Sequence, residues 1–246
     1  EPSPARLRVL CYNIHYGLGT DGTYDIERLA RVIEEARPDL VALQEVDVVV
    51  RRSGQVHQAR RLGELTGMHV RYGPTQHYDG GLYGNAVLSR FPVQDVVIQP
   101  LPYSDSTADR TTYPRGAIAV TVRLPNGHPL RFISTHFQHN VPEDRIAEAE
   151  AINRLFAVDD DSVPTILAGD MNARPDEQPI QILLRKWSHA MDADATPTAP
   201  SIEPRARIDY VFHRGHGTLR VKSSEVLPES VASDHRPVLV EFELVE

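Results

Sequence analysis

The chain has 246 residues, a formal net charge of −8 and 41% hydrophobic residues, ordinary figures for a globular protein that suit one large domain as well as two small ones. No apolar run is long enough to cross a bilayer as a helix, and the acidic balance opposes strong nonspecific attraction to a phosphate backbone, which needs a basic face to displace counterions. The single cysteine, Cys11, excludes an internal disulfide and, set in an apolar run, reads as a buried, unreactive thiol.

The opening Glu1-Pro-Ser-Pro4 has no initiator Met and reads as the stub of a trimmed chain or of a processed export signal. Residues 1–6 are therefore expected to be flexible; both origins stay open, with export favoured. Leu7 to Ile14 predicts a buried strand. Asp25 then stands as the N-cap of a helix with apolar residues at 26, 29, 30, 32, 33 and 36, which Pro38 stops. Leu40 to Val46 predicts a second buried strand, and Gln58 to Leu65 a helix closed by Gly67. Strands follow at Ala86 to Ser89, Val93 to Ile98 and Ala117 to Leu124. Asn126-Gly127 signals a tight hairpin that pairs the last of these with Leu130 to Phe137. A helix from Glu143 to Phe156, a strand from Thr165 to Ala168 and a final strand from Val238 to Leu244 complete the pattern. Pro and Gly are scattered and no repeat or linker divides the chain, so a single domain over 1–246 is expected, with a monomer favoured. Hairpins mixed with strand–helix–strand crossovers argue for an α+β fold of two packed sheets with helices outside.

Three apolar runs end in polar residues, Val9-Leu-Cys-Tyr-Asn13, Val41-Ala-Leu-Gln-Glu45 and Thr165-Ile-Leu-Ala-Gly-Asp170-Met-Asn172, and a polar cluster, Ser233-Asp234-His235, stands just before the apolar last strand. Buried strands that end this way point to one shared polar site. An unpaired carboxylate at the end of a buried strand is costly, so Glu45 calls for a partner such as a metal. Asp170 and Asn172 follow a Gly, where hydrogen bonding within a turn is the ordinary explanation. His136 in Ser134-Thr-His-Phe137 can point at a sheet-end site while Phe137 enters the core, although a core histidine with its bonds satisfied is the plain alternative.

Together, Asn13, Glu45, His136, Gly169-Asp170-Met-Asn172, Asp209 and Asp234-His235 resemble the endonuclease/exonuclease/phosphatase superfamily of metal-dependent phosphoesterases, over nearly the whole chain. The resemblance implies a four-layer αββα sandwich of the DNase I-like kind, with the site at one edge between the sheets. It implies Asn13, Glu45 and Asp234 as metal ligands, with Asp170 and Asn172 as a possible second site. Hard oxygen ligands of this sort suit Mg2+, with Mn2+ or Ca2+ as substitutes. The implied catalytic set is His136, Asp170, Asn172, Asp209 and His235, with Asp209 orienting His235 as the general base. Asn85, Arg115, His139 and His15 are candidate substrate contacts, with Asn140 beside them; His57, His77 and His213 read as surface histidines.

His15 stands two residues after Asn13, where apurinic endonucleases usually carry an acid, and no aromatic-rich insertion suited to wedging into DNA is visible. The opening Tyr12-Asn-Ile-His-Tyr-Gly17 looks closer to the sphingomyelinase-like and GPI-processing-associated branch. The expected reaction is hydrolysis of a phosphodiester in a small molecule or phospholipid head group. A DNA or RNA nuclease using the same site is the alternative, with arginines 51, 52, 60, 61, 71, 110 and 115 as its basic patch, against the plain reading of solvated surface charges. A noncatalytic phosphate-binding module is the third reading.

Overall fold

The computed structural model describes residues 6–158, 163–215 and 217–245. Two six-stranded mixed sheets pack face to face. The first holds β1 (Arg6–Asn13), β2 (Leu40–Val48), β3 (His69–Tyr78), β4 (Gly81–Ser89), β11 (Leu219–Val226) and β12 (Val238–Leu244), in the order β11-β12-β1-β2-β4-β3. The second holds β5 (Val93–Pro100), β6 (Gly116–Arg123), β7 (Pro129–His136), β8 (Thr165–Asp170), β9 (Ser188–His189) and β10 (Asp209–Arg214), in the order β5-β6-β7-β8-β10-β9.

Alternation along the strands sorts the core into layers. From β1, Leu7, Val9 and Cys11 face the second sheet and join Phe132, Ile166 and Val211 in the central core. Leu10 and Tyr12, on the opposite face, meet helices α1 (Ile26–Ala36) and α2 (Gln58–Thr66). The outer face of the second sheet is covered in the same way by α3 (Pro142–Phe156) and α4 (Gln178–Leu183), which pack Ile152, Phe156 and Ile180 on Ile133, Leu167 and Phe212. The result is the αββα sandwich expected from the sequence. Among the described residues no helix is long and apolar enough to cross a membrane.

Local signals carry most of these boundaries. The Asp25 carboxylate accepts from Arg28 N at 2.8 Å and caps α1, and Gly67 closes α2 in the left-handed conformation. The Asn126-Gly127 turn joins β6 to β7 as expected. Four strands and a helix escaped the pattern. The sequence of β3 contains Gly73-Pro74, which reads as a turn; as the edge of its sheet the strand tolerates the proline and absorbs it in a register shift. The strand β11 is mostly polar and half exposed, and β9, β10 and α4 are short. Of the expected N-terminal stub, residues 1–5 lie outside the described residues, and Arg6 is no part of it: it already belongs to β1, paired with Glu243.

Candidate active site

Three neighbouring strands of the second sheet end at one level. His136 on β7 pairs in register with Asp170 on β8, and Asp170 with Asp209 on β10. Gly169 allows this approach, because a Cβ there would lie 2.2 Å from the Thr135 carbonyl oxygen on β7. Beyond Asp170 the chain turns through Asn172, whose backbone is left-handed (φ 47°) and whose N–H donates to Asp170 Oδ1 at 2.9 Å. From the facing sheet, β1 ends on Asn13, and a bulge in β2 between Leu43 and Val46 turns Glu45 (φ 57°) out of the ladder. Ser233 pins the loop before β12: its hydroxyl donates to Asn13 O at 2.7 Å and accepts from His235 N at 3.2 Å.

Asp170 is the hub. Its Oδ2 accepts from Asn13 Nδ2 at 3.0 Å and lies 3.4 Å from His136 Nε2 and 3.7 Å from His235 Nε2. Burial, reinforced by the Asp209 charge, pushes its carboxyl up to about 7. His235 Nδ1 meets Asp209 Oδ2 at 2.9 Å. Burial alone would lower this imidazole, but the carboxylates of Asp209 and Asp170 outweigh it and raise its pKa well above the ordinary range. His136 goes the other way, lowered by burial and by the Arg115 guanidinium, whose Nη1 sits 3.2 Å from Nδ1. Because a guanidinium only donates, Nδ1 accepts, and the neutral ring carries its proton on Nε2, toward Asp170. The Asn172 amide nitrogen, also 3.0 Å from Nε2, has its firm acceptor in the Phe137 carbonyl at 3.0 Å.

Asn13 is held from three sides. It is fully buried, its NH2 bridges Glu45 Oε1 (3.1 Å) and Asp170 Oδ2 (3.0 Å), and its carbonyl oxygen already accepts from His15 N at 3.0 Å. In this arrangement Asn13 spaces two carboxylates, and its carbonyl oxygen keeps a second lone pair beyond the bond from His15 N. The donor set as a whole fits a hard divalent ion. Glu45, Asp170 and Asp234 all line the cleft and none pairs with Arg or Lys among the described residues. One oxygen of Asp234 and one of Asp209 are buried without a hydrogen-bond partner. Asp170, Asp209 and His235 also lie close enough together to gather a metal, yet the 2.9 Å bond between His235 Nδ1 and Asp209 Oδ2 already accounts for the closeness of two of them.

These residues floor a cleft of about 470 Å³. Glu45, His136, Asp170, Asn172, Asp234 and His235 line it, as do three of the predicted substrate contacts, His15, Arg115 and His139. Asp209 stands behind His235, fully buried. Asn85 does not reach the cleft: it is 2% exposed and donates to Gly116 O at 2.9 Å, tying β4 to β6 across the sheets. Asn140 instead donates outward to Thr111 O. His57 and His77 are exposed as expected, whereas His213 is half-buried edge-on against Phe242. Sequence reasoning missed Tyr16, Gln76, Tyr78, Tyr83 and Tyr113 in the cleft wall and placed Arg52 only in a basic patch. Tyr16 sits in the Tyr12-to-Gly17 run already singled out, whereas Gln76 and Tyr78 lie on the unrecognised β3, Tyr83 on β4 ahead of its expected start and Tyr113 in a loop.

The sequence profile of the Endonuclease/Exonuclease/phosphatase family matches residues 10–235. Among solved structures, the endonuclease/exonuclease/phosphatase from Beutenbergia cavernae DSM 12333 superposes with a TM-score of 0.80 at 26% identity, over 97% of this chain and 72% of that one. The mannosyl-6-phosphatase Bt3783 of Bacteroides thetaiotaomicron VPI-5482 shares the fold, with a TM-score of 0.76 at 20% identity over 96% and 99% of the two chains. So does the catalytic domain of human Nocturnin with bound sulfate, at 0.73 and 20% over 99% and 97%. These matches establish the family and not its sphingomyelinase-like branch. By the match of its sequence and by its two six-stranded sheets between helical layers, the chain belongs to the endonuclease/exonuclease/phosphatase family.

Proposed function

We propose that the protein is a metal-dependent phosphoesterase that hydrolyses a phosphodiester in a small molecule or phospholipid head group. The observation that carries this reading is the convergence of Glu45, His136, Asp170 and the Asp209–His235 pair on one cleft. A hard divalent cation, Mg2+ with Mn2+ or Ca2+ as substitutes, would be held by Glu45 and Asp234 and would supply positive charge to the phosphoryl and leaving oxygens.

The chain's own groups provide the remainder. Arg115, 6% exposed and without a carboxylate partner among the described residues, donates to a nonbridging oxygen, and neutral His136 donates to the same group through Nε2–H. A water attacks phosphorus in line with the departing oxygen. The bond formed joins water oxygen to phosphorus, and the bond broken joins phosphorus to the leaving alcohol, whose oxygen takes a proton from solvent. The proton lost by the attacking water goes to the Asp170–His235 pair, which act as one unit 3.7 Å apart. His235 serves as base once it has given up its extra proton, a change that positive charge nearby favours. Asp209 keeps its ring aligned, and Asn172 steadies Asp170 through its backbone N–H.

A hydrolysis panel tests the assignment: an aryl phosphodiester, a phosphomonoester, sphingomyelin, a glycerophosphodiester, plasmid DNA and single-stranded RNA, each with Mg2+ and with chelator. Metal-dependent cleavage of a small diester or head group supports it. Cleavage of nucleic acid alone assigns the site to a nuclease, and the absence of any metal-dependent cleavage removes the reading.

A further inference from the structure

One wall of the cleft is built with more care than a solvent-facing surface requires. Arg52 is locked in a bidentate pair with the fully buried Asp47, Nε to Oδ2 and Nη2 to Oδ1, both at 2.9 Å. Its guanidinium lies over two rings, 3.6 Å from the centroid of Tyr16 and 4.3 Å from that of Tyr78. Gln58, 3% exposed, holds the assembly from behind, accepting from Asp47 N at 2.9 Å and donating to Tyr16 O at 2.7 Å. Tyr16 and its neighbour His15 are both left-handed, at φ 43° and 45°. Such strain persists only where surrounding structure imposes it, and it gathers at functional sites.

The chemistry of this wall is specific. The charge of Arg52 is matched by Asp47, so it offers edge N–H groups and no net cation. Among the described residues the Tyr16 and Tyr78 hydroxyls and the Gln76 amide have no protein partner, and all three line the cleft. Arg115, beside His136, is the lining guanidinium left without a carboxylate, enough for one phosphate. Among the described residues no Leu, Ile, Val, Met or Phe lines the cleft, so an acyl chain finds nothing there to pack against. Ring faces and neutral donors and acceptors together suit the C–H faces and hydroxyls of a polyhydroxylated group.

Resting on the phosphoesterase reading above, we propose that Tyr16, Arg52, Gln76 and Tyr78 form the leaving-group subsite, and that it takes an uncharged sugar or polyol esterified to the phosphate. The reaction is the hydrolysis already written, with the sugar or polyol departing as the alcohol. The substrate is a soluble ester, not one presented at a lipid surface.

The test compares selectivity in the wild type and in Tyr78→Ala and Gln76→Ala, both on the edge strand β3 and remote from the core. Hexose 6-phosphate is set against p-nitrophenyl phosphate, and glycerophosphoglycerol against bis(p-nitrophenyl) phosphate, so that each pair carries equal charge. Each variant should lower the ratio of kcat/KM for the hydroxylated ester to that for the aryl ester roughly five- to tenfold, mainly through KM, as loss of one or two hydrogen bonds predicts. An unchanged ratio, or one that rises because the aryl ester suffers more, overturns the subsite. Cleavage of the aryl esters with neither hydroxylated ester touched overturns it too while leaving the phosphoesterase reading intact, whereas failure on all four esters with Mg2+ removes that reading as well. Phosphatidylglycerol vesicles present the same head group as glycerophosphoglycerol, and faster turnover on the vesicles would overturn the assignment to a soluble ester.

Discussion

Asp170 sits where two histidines, an asparagine and a second aspartate meet, and its neighbours divide the labour by the protonation each can hold. His235 lies between two carboxylates that favour its charged form, whereas His136 is kept neutral by burial and by the guanidinium it faces. The two rings are therefore not interchangeable. Replacing either by Ala is expected to lower kcat by roughly 10²- to 10⁴-fold. Asp209→Asn should cost less, because in the proposed mechanism that residue orients a ring and touches no reacting atom. The double variant of Asp209 and His235 should be no slower than His235→Ala alone, since the two act as a unit; steady-state rates on one substrate check this, and fully additive losses would give Asp209 a separate task. His136 and Asp170 were legible in the sequence because each ends an apolar run, and His235 because it stands just before one, whereas Asp209 opens the unpredicted strand β10 and came only from the resemblance. The orientation of a side chain at a strand end was not legible. Asn85 was read as facing substrate and faces the other sheet.

The elements hold the site through close strand contact and through buried polar groups. Gly169→Ala would force β8 away from β7 by placing a methyl group 2.2 Å from a backbone oxygen. This variant should unfold at lower temperature and lose activity together, whereas a stable, fully active Gly169→Ala would show that the β7–β8 spacing does not position Asp170. On α3, the wholly buried Glu148 accepts from Gln138 N at 2.8 Å, and burial pushes its carboxyl up from 4.5 to about 8. The folded chain thus keeps a proton that the unfolded chain releases, so stability falls as pH rises through that interval, by at most about 1.4 kcal/mol per pH unit. Thermal melts across the interval should show the wild type losing stability relative to Glu148→Gln as pH rises; parallel curves would mean that Glu148 is ionised when folded. Nothing in the sequence marked Glu148, since a glutamate in a helix is ordinarily a surface residue. The capped helices and the Asn-Gly hairpin were readable because their signals are local. The strand β3 was not, because only its place at the sheet edge makes its proline tolerable.

Across the whole molecule, most of the arginines considered as a strand-binding face lie within reach of a carboxylate. Arg51 pairs with Asp79, Arg52 with Asp47, Arg60 with Glu64, Arg61 with Glu27 and Arg110 with Glu143. With a net charge of −8, the protein should gain little from a long polyanion. Initial rates at two ionic strengths should be higher on a small diester than on DNA; faster cleavage of DNA that falls steeply with salt would reverse that conclusion.

The central claim is that Glu45 brings a divalent cation to a cleft whose other groups are already arranged for phosphoryl transfer to water. Its most direct test is the initial rate on a small phosphodiester as Mg2+ is titrated into the exhaustively chelated protein, for the wild type and for Glu45→Gln with its fold verified by circular dichroism. Activity should be absent after chelation, return saturably with Mg2+ in the wild type, and stay about 10²-fold or more lower in Glu45→Gln at limiting Mg2+. Turnover that survives chelation, or a Glu45→Gln titration that overlays the wild type, would contradict it.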